Sequence, residues 1–275
     1  MQIFYPIFIF CLGLCAGSFL NVVIYRLPKG EKISGRSCCP HCKKTIAWYD
    51  LIPVFSFLAL FGRCRYCRQK ISLQYPLVEI ATALLFLLIF NFQFSIFSPG
   101  ANPPLADNEF SIFNFQFLTI LYHLIIASFL IAIFFIDLRH YIIPDKIVLP
   151  AIAIALIFNF QFLIFNQFSI INYSILSGLG GAVFFLAIVL ISHGRWMGTG
   201  DIKLAFLMGL FLGFPKILPA LFLSFLLGGI MGIGLIILEK KNLKSEMPFG
   251  PFLVAGTFIA LFWGQNLINW YLGLL

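Results

Sequence analysis

Two aspartates stand at the edges of long apolar stretches, where a charged side chain is costly. Asp137 ends the apolar run 119–136, and Asp201 follows a Gly-x-Gly sequence and precedes another apolar run. A carboxylate in a bilayer costs roughly 2.5–3.5 kcal/mol on insertion scales, so such residues usually face a protein interior and serve chemistry or transport. Two carboxyl groups that meet can share one proton, and such a pair can activate water. The two residues therefore predict an intramembrane aspartic protease.

The neighbours of these aspartates leave structural alternatives open. Gly198 and Gly200 permit close backbone approach and non-helical angles, which would leave backbone free to pair with an extended substrate. Asp145 and Asp201 also stand where a helix N-cap is expected, since each follows a turn and precedes an apolar run. Asp137 closes an apolar run, where the helix dipole disfavours an anion, so a capping role does not explain it. Asp137 and Asp201 are the predicted catalytic pair.

Four cysteines form two C-x2-C pairs in the polar stretch 26–75. Cys39 pairs with Cys42, and Cys64 pairs with Cys67, with 21 residues between the pairs. Each pair can form a knuckle that directs two thiolates at one ion, and two knuckles complete the tetrahedral site of structural zinc. Two disulfides are the alternative, but the positive charge of the stretch assigns it to the cytosol, where thiols stay reduced.

The other cysteines are not predicted to bind metal. Cys38 is adjacent to the first pair but falls out of its register, and Cys11 and Cys15 lie in the first apolar segment as packing residues. His41 is a possible substitute ligand, which four cysteines make unnecessary.

The chain is predicted to cross a membrane several times. Of its 275 residues, 61% are hydrophobic and 10% are charged, whereas soluble domains carry about 25% charged residues. Since a helix needs about 20 apolar residues to cross the hydrocarbon core, the sequence predicts an all-α polytopic membrane protein with about eight transmembrane helices. The count is seven if the short sixth span belongs to a re-entrant element. The predicted spans are 3–25, 76–97, 117–137, 146–166, 174–192, 202–214, 217–238 and 251–273.

Basic residues are distributed unevenly between the two sides of this predicted membrane. The stretch 26–75 holds ten of the 18 Lys and Arg residues, the turns 139–146, 193–203 and 239–248 hold seven, and the alternate loops hold only Lys216. Because cytoplasmic loops are enriched in Lys and Arg, both termini are predicted outside and the stretch 26–75 in the cytosol. This bias, with attraction to anionic lipid headgroups, accounts for the net charge of +8, so nucleic-acid binding is not expected.

Three regions are predicted along the chain. Residues 1–25 form a first transmembrane helix, 26–75 a small cytosolic zinc-binding loop domain, and 76–275 a transmembrane peptidase domain. A loop of this size needs a cross-link such as a bound zinc ion to fold stably, because its own hydrophobic core is small. Within it, the apolar segment 51–61 is too short to cross the membrane and predicts an interfacial or packed helix. The long segment 98–116 is predicted as an outer loop.

In combination, these motifs resemble the bacterial type IV prepilin peptidases, which are bifunctional leader peptidases and N-methyltransferases. The order and spacing match over nearly the whole chain. The matching pieces are Gly17-Ser18-Phe19-Leu20-Asn21-Val22-Val23-Ile24-Tyr25-Arg26-Leu27-Pro28, the paired C-x2-C loop, Tyr75-Pro76-Leu77-Val78-Glu79, Asp137 with Ile143-Pro144-Asp145, and Gly198-x-Gly-Asp201-x-Lys203-Leu204.

The resemblance implies an activity, substrates and a second cofactor. It implies that Asp137 and Asp201 cleave a short basic leader after a glycine, on the cytosolic face of the bacterial inner membrane. The substrates would be type IV prepilins or type II secretion pseudopilins, and S-adenosylmethionine would methylate the new N-terminal residue. Glu79 is a candidate in the methyl-transfer site, either binding the substrate amine or pairing with Arg26. A peptidase without methyl transfer and a proton-coupled transporter are the alternatives.

Overall fold

The computed structural model describes residues 4–96, 109–164, 168–194, 197–238 and 247–274, and within these ranges the chain is helical. The described residues form no strand beyond two isolated β-bridges. This confirms the predicted all-α class. The helices are α1 Phe4–Arg26, α2 Phe55–Ala59, α3 Gln74–Ile96, α4 Glu109–His140, α5 Asp145–Ile164, α6 Phe168–Ile191, α7 Thr199–Leu212, α8 Ile217–Ile237 and α9 Gly250–Leu272.

Every predicted span coincides with one of these helices, but the described residues give six helices long and apolar enough to cross a membrane. The two long helices outside that set are α5 and α7, and α7 has 14 residues. At 1.5 Å per residue, a helix of that length spans about 21 Å, short of a hydrocarbon core of about 30 Å. The count of eight spans stays a prediction. The predicted outer loop 98–116 was wrong at its end, because residues 109–116 form the first turns of α4. The rest of that loop, 98–108, and the segment 239–246 of a predicted basic turn lie outside the described residues.

The chain divides into two compact units, Met1–Ala132 and Ile133–Leu275. In the first unit, α1 lies directly against α3 because glycines leave room for the backbone. A Cβ at Gly13 would lie 2.6 Å from the Cα of Ala83, and a Cβ at Gly17 would lie 2.6 Å from the Cα of Glu79. Small residues at such crossings are the usual basis of close helix packing in membranes. This contact fixes the height of Glu79 against α1.

In the second unit, α7 packs against α5, α6 and α9. A Cβ at Gly209 would lie 2.5 Å from the Cα of Gly178, so α6 and α7 touch through backbone at this point. The side-chain amide of Asn159 on α5 donates to the carbonyl oxygen of Leu210 at 3.1 Å, near the end of α7. That carbonyl lies among the last four of its helix, which have no partner within the helix. The helix that bears Asp201 is therefore tied to its neighbours along its length.

The apolar segment 51–61 differs from its prediction as a single helix. It contains the end of a 3₁₀ turn, Trp48–Leu51, and then the five-residue helix α2. Pro53 separates the two, since proline disfavours helical angles in the residue before it. Phe55, Leu58 and Phe61 are exposed, as an interfacial segment would be, and the interfacial position stays a prediction.

Candidate active site and metal centre

Asp137 lies in the last turn of α4 and is buried, with 4% of its surface exposed. Its carbonyl oxygen accepts the N–H of Tyr141, whose φ of 58° ends the helix in the left-handed manner common at helix C-termini. Its carboxylate oxygen Oδ2 accepts the backbone N–H of Gly250 at 2.9 Å. Gly250 is the first residue of α9, so two helix ends meet at this carboxylate.

Asp201 lies in the first turn of α7 and is 8% exposed. It is the third residue of the helix rather than the N-cap, which is Gly198. Its Oδ2 accepts the N–H of Gly198 at 3.2 Å, so the carboxylate reaches back to the start of its own helix. A negative charge is favoured there. The capping interpretation is thus partly correct, and it leaves the second carboxylate oxygen available.

The two aspartates belong to the same unit and interact electrostatically. The helices that begin with Gly250 and with Thr199 also contact each other. Two buried carboxyl groups coupled in this way have the composition of an aspartic-protease centre.

The glycines before Asp201 act differently from each other. A Cβ at Gly200 would lie 2.9 Å from the Cβ of Ile143, so the first turn of α7 lies directly on the segment that follows α4. Close approach is therefore correct for Gly200. Gly198 is in the extended, non-helical conformation, with φ −83° and ψ 159°, and any residue can adopt these angles. Among the described residues, a Cβ at Gly198 would meet no atom closer than 3.9 Å.

Asp145 has a partner of its own. It is the first residue of α5, and its Oδ1 accepts a hydrogen bond from Nζ of Lys203 at 2.5 Å, with both side chains partly exposed. The pair connects the start of α5 to the first turn of α7. It supports the structural interpretation of Asp145 as a residue at a helix start.

Cys39, Cys42, Cys64 and Cys67 come together as predicted. Their Sγ atoms all lie within 4.8 Å of one another, and those of Cys39 and Cys67 are 3.8 Å apart. A tetrahedral zinc with Zn–S bonds of about 2.3 Å requires S–S separations of about 3.8 Å. The donor set and its size therefore fit zinc.

The two C-x2-C pairs are folded in the same way. In each, the N–H four residues after the first cysteine donates to that cysteine's carbonyl oxygen, from Lys43 to Cys39 and from Arg68 to Cys64, both at 2.9 Å. Lys43 and Arg68 have nearly equal positive φ angles of 58° and 57°. The backbone N–H of Cys67 also lowers the pKa of the Cys64 thiol to about 7, which favours the thiolate that binds metal.

The remaining sulfur and imidazole groups lie outside this cluster. Cys38, Cys11 and Cys15 are exposed and free, and His41 is exposed. Asp50, from the 3₁₀ turn, accepts two hydrogen bonds from Arg65 between the second pair of cysteines, at 2.6 and 2.8 Å. That ion pair braces the knuckle against the segment before α2.

Glu79 does not pair with Arg26. The guanidinium of Arg26 donates to the carbonyl oxygens of Ile33, Ser34 and others in the loop that follows α1. Glu79 is 7% exposed, and its Oε2 accepts the N–H of Val54 at 2.8 Å. Val54 has a φ of 60°, which a β-branched residue rarely adopts, so the carboxylate supports a strained turn.

Gly250 is the site residue that the sequence interpretation missed. Its signal was present in the chain, since Gly250-Pro251 after a polar turn is typical of a helix start. The sequence gives no means of telling that this start lies on a carboxylate 113 residues away.

Comparison with known families agrees with this geometry. The model of the bacterial peptidase A24 N-terminal domain matches residues 11–92, and that of the type IV leader peptidase family matches residues 124–233. The protein belongs to the type IV leader peptidase family. The first match contains all four clustered cysteines and Glu79, and the second contains both aspartates.

Curated relatives match over almost the whole chain. A prepilin leader peptidase/N-methyltransferase of Aeromonas hydrophila is 34% identical over 96% of this chain and 92% of its own length. Relatives with the same name from Legionella pneumophila and Pseudomonas aeruginosa are 32% and 33% identical, covering 98% and 96% of this chain and 96% and 93% of their own lengths. The search of solved structures found no match. None of these matches favours the transporter alternative.

Proposed function

We propose that this protein cleaves the leader from type IV prepilins or type II secretion pseudopilins and then N-methylates the new N-terminus. The observation that supports this most strongly is the pair of buried carboxyl groups, Asp137 and Asp201, in the region that matches the leader peptidase family. The names of the curated relatives state both activities for those proteins. The motifs of both activities occur in order along this chain.

Peptide hydrolysis by this pair follows from ordinary aspartic-protease chemistry. One carboxylate is ionised and takes a proton from water as the oxygen attacks the scissile carbonyl carbon, while the other carboxyl group is protonated and donates to the carbonyl oxygen. The C–N bond then breaks as the carboxyl group that took the water proton gives it to the leaving amide nitrogen. The other carboxylate recovers its proton from the hydroxyl of the intermediate, so both groups return to their starting state. The extended backbone at Gly198 supports pairing with an extended substrate beside Asp201.

The four-cysteine cluster is proposed to hold structural zinc. Zinc would tie two knuckles into one module and would supply stability rather than bond-breaking chemistry, since four thiolates leave no open coordination position. Methyl transfer from S-adenosylmethionine is assigned to this module and the helix ends beside it. The support is that the module lies in the separately matched N-terminal domain.

Glu79 is proposed to serve methyl transfer by holding the turn at Val54, with its other oxygen able to accept a hydrogen bond from the substrate amine. The support is its burial at the start of α3, beside the loop that contains the zinc module. An amine must be deprotonated before it attacks a methyl sulfonium, so a carboxylate neighbour would orient it.

The proposed setting is the bacterial inner membrane, with the zinc module and both aspartates on the cytosolic side. The distribution of Lys and Arg supports this orientation. The basic residues of the stretch 26–75 would also attract anionic lipid headgroups.

One reconstitution tests the proposal. Purified protein in lipid is incubated with a synthetic prepilin segment and isotope-labelled S-adenosylmethionine, and the products are examined by mass spectrometry. We expect a peptide shortened after the leader glycine, with one labelled methyl group on its new N-terminus. A shortened but unlabelled peptide would support the peptidase-only alternative, and an intact peptide would contradict the proposal.

A further inference from the structure

The start of α9 is built around the carboxylate of Asp137. Gly250 is the first residue of α9, and its N–H points at Oδ2 of Asp137 from 2.9 Å. The N–H groups of the first helical turn have no partner within their own helix, and together they present a partial positive charge. Asp137 comes from the last turn of α4, where its own helix disfavours a negative charge. The start of α9 offsets that cost.

The sequence determines which backbone N–H in the first turn of α9 can donate to another group. Pro251 has no N–H, and the N–H of Phe252 is taken by the carbonyl oxygen of Phe249 at 3.0 Å. Gly250 is therefore the residue at the beginning of α9 whose N–H is free to serve another group. It gives that N–H to Asp137.

A side chain at this position would collide with Asp137. A Cβ on residue 250 would lie 2.6 Å from Oδ2, a separation that real Cβ atoms essentially never show, and 3.1 Å from Cγ, which is tight. The carboxylate is held in a packed site at the end of α4, so any side chain at 250 would displace it. The absence of a side chain at Gly250 allows both the close contact and the hydrogen bond.

Aromatic packing fixes the turn that presents this N–H. The ring of Phe249 lies 5.1 Å from that of Phe225 and 6.2 Å from that of Phe185, measured between centroids, and Phe185 is fully buried. Phe249 is the N-cap of α9, directly before the donor. The donor is thus anchored by packing against α6 and α8.

We infer that Gly250 is a positioning residue for hydrolysis: its N–H holds Oδ2 of Asp137 at the end of α4, so that this carboxyl group is fixed where it exchanges protons with water and substrate. This inference rests on the proposed function of the two aspartates. Asp201 is held in a similar way by the N–H of Gly198 at 3.2 Å, so each member of the pair has one backbone donor at a helix start.

Two changes at Gly250 test the inference from different sides. Gly250→Ala displaces the carboxylate by contact. Replacement of Gly250 by glycolic acid, through nonsense suppression, exchanges the N–H for an ester oxygen without adding a Cβ. The exchange removes no hydrogen-bond donor of α9 itself, because the N–H serves Asp137. The carbonyl of Phe249 becomes an ester carbonyl, which is a weaker acceptor for the N–H groups of Phe252 and Leu253. Gly264→Ala, on the same helix, is the matched control, since its Cβ would meet Lys216 at an ordinary 3.4 Å.

The measured quantity is the pH profile of leader cleavage, with kcat and KM separated. Removing a hydrogen bond to a charged group typically changes an equilibrium or a rate by roughly 10- to 100-fold. We therefore expect kcat to fall by that factor in both Gly250 variants. KM should change little. Because the lost donor stabilises a charged carboxylate, one limb of the profile should also move to higher pH, by about one unit or more. Gly264→Ala should keep the wild-type profile.

The outcomes separate this inference from the proposed function. Wild-type kcat and an unchanged pH profile in the folded ester variant would overturn the inference, as would a shift of equal size in Gly264→Ala. If Gly250→Ala does not fold, the ester variant alone decides. Cleavage by Asp137→Asn at the wild-type rate would instead overturn the proposed function itself.

Discussion

The zinc module and the aspartate site are assembled from the chain in opposite ways. Each knuckle of the zinc module closes within six residues, and both are held by the same backbone hydrogen bonds around Lys43 and Arg68. The aspartate site joins the end of α4, the start of α7 and the start of α9, and its hydrogen bond to Asp137 spans 113 residues. Local spacing defines the first site, and helix packing defines the second.

This contrast explains how the two sites should respond to damage. The metal is the staple of a small module, so losing one ligand removes the whole stabilising group. The aspartate site is held by many helix contacts, so a single change there can stop the chemistry while the fold persists. The four cysteines lie in one compact unit, and Asp137, Asp201 and Gly250 lie in the other.

The largest expected effect is at the aspartates. Asp137→Asn or Asp201→Asn should lower the rate of leader cleavage by about four orders of magnitude, because an amide can neither take nor give the required proton. Mass spectrometry of a prepilin segment after long incubation measures the loss. Asp145→Asn is the control and should retain most activity, since its carboxylate pairs with Lys203. Near-normal cleavage by either of the first two variants would exclude the proposed pair.

The second effect is at the cysteines. Serine at position 39, 42, 64 or 67 should release zinc and disorder the module, whereas Cys38→Ser should retain the metal because its thiol lies outside the cluster. Metal analysis of the purified variants and protease sensitivity of the stretch 26–75 provide the measurements. If Cys38→Ser loses its zinc to the same extent as Cys64→Ser, the assignment of the four ligands is contradicted.

A smaller effect is expected at the amide that ties α5 to α7. Asn159→Leu removes the hydrogen bond to Leu210 and should lower the free energy of unfolding by about 1 kcal/mol, near the upper range for such bonds in membranes. Ser128→Ala, which loses a bond within its own helix, is the control and should change stability less. Reversible unfolding in detergent measures both. An equal loss of unfolding free energy in the two variants would show that the hydrogen bond between α5 and α7 stabilises the protein no more than a bond within one helix.

The sequence predicted the locally encoded parts of this molecule well. The helices follow the apolar segments, and the four cysteines cluster because their spacing alone makes two knuckles. The prediction for the segment 51–61 was wrong because Pro53 breaks a segment whose composition favours one helix. The sequence also could not predict contacts between residues that are far apart along the chain. Examples are the contact of Gly250 with Asp137 and that of Val54 with Glu79. Such contacts depend on helix packing, which hydropathy does not specify.

The central claim is that hydrolysis belongs to the aspartates and methyl transfer to the unit that contains the zinc module. The most direct measurement gives folded Asp201→Asn protein a synthetic pilin segment that already lacks its leader, together with labelled S-adenosylmethionine. We expect methylation of this segment at close to the wild-type rate, although the same protein leaves an intact prepilin segment uncut. Failure to methylate the pre-cleaved segment, with folding and zinc content unchanged, would contradict two separate centres and indicate one shared site.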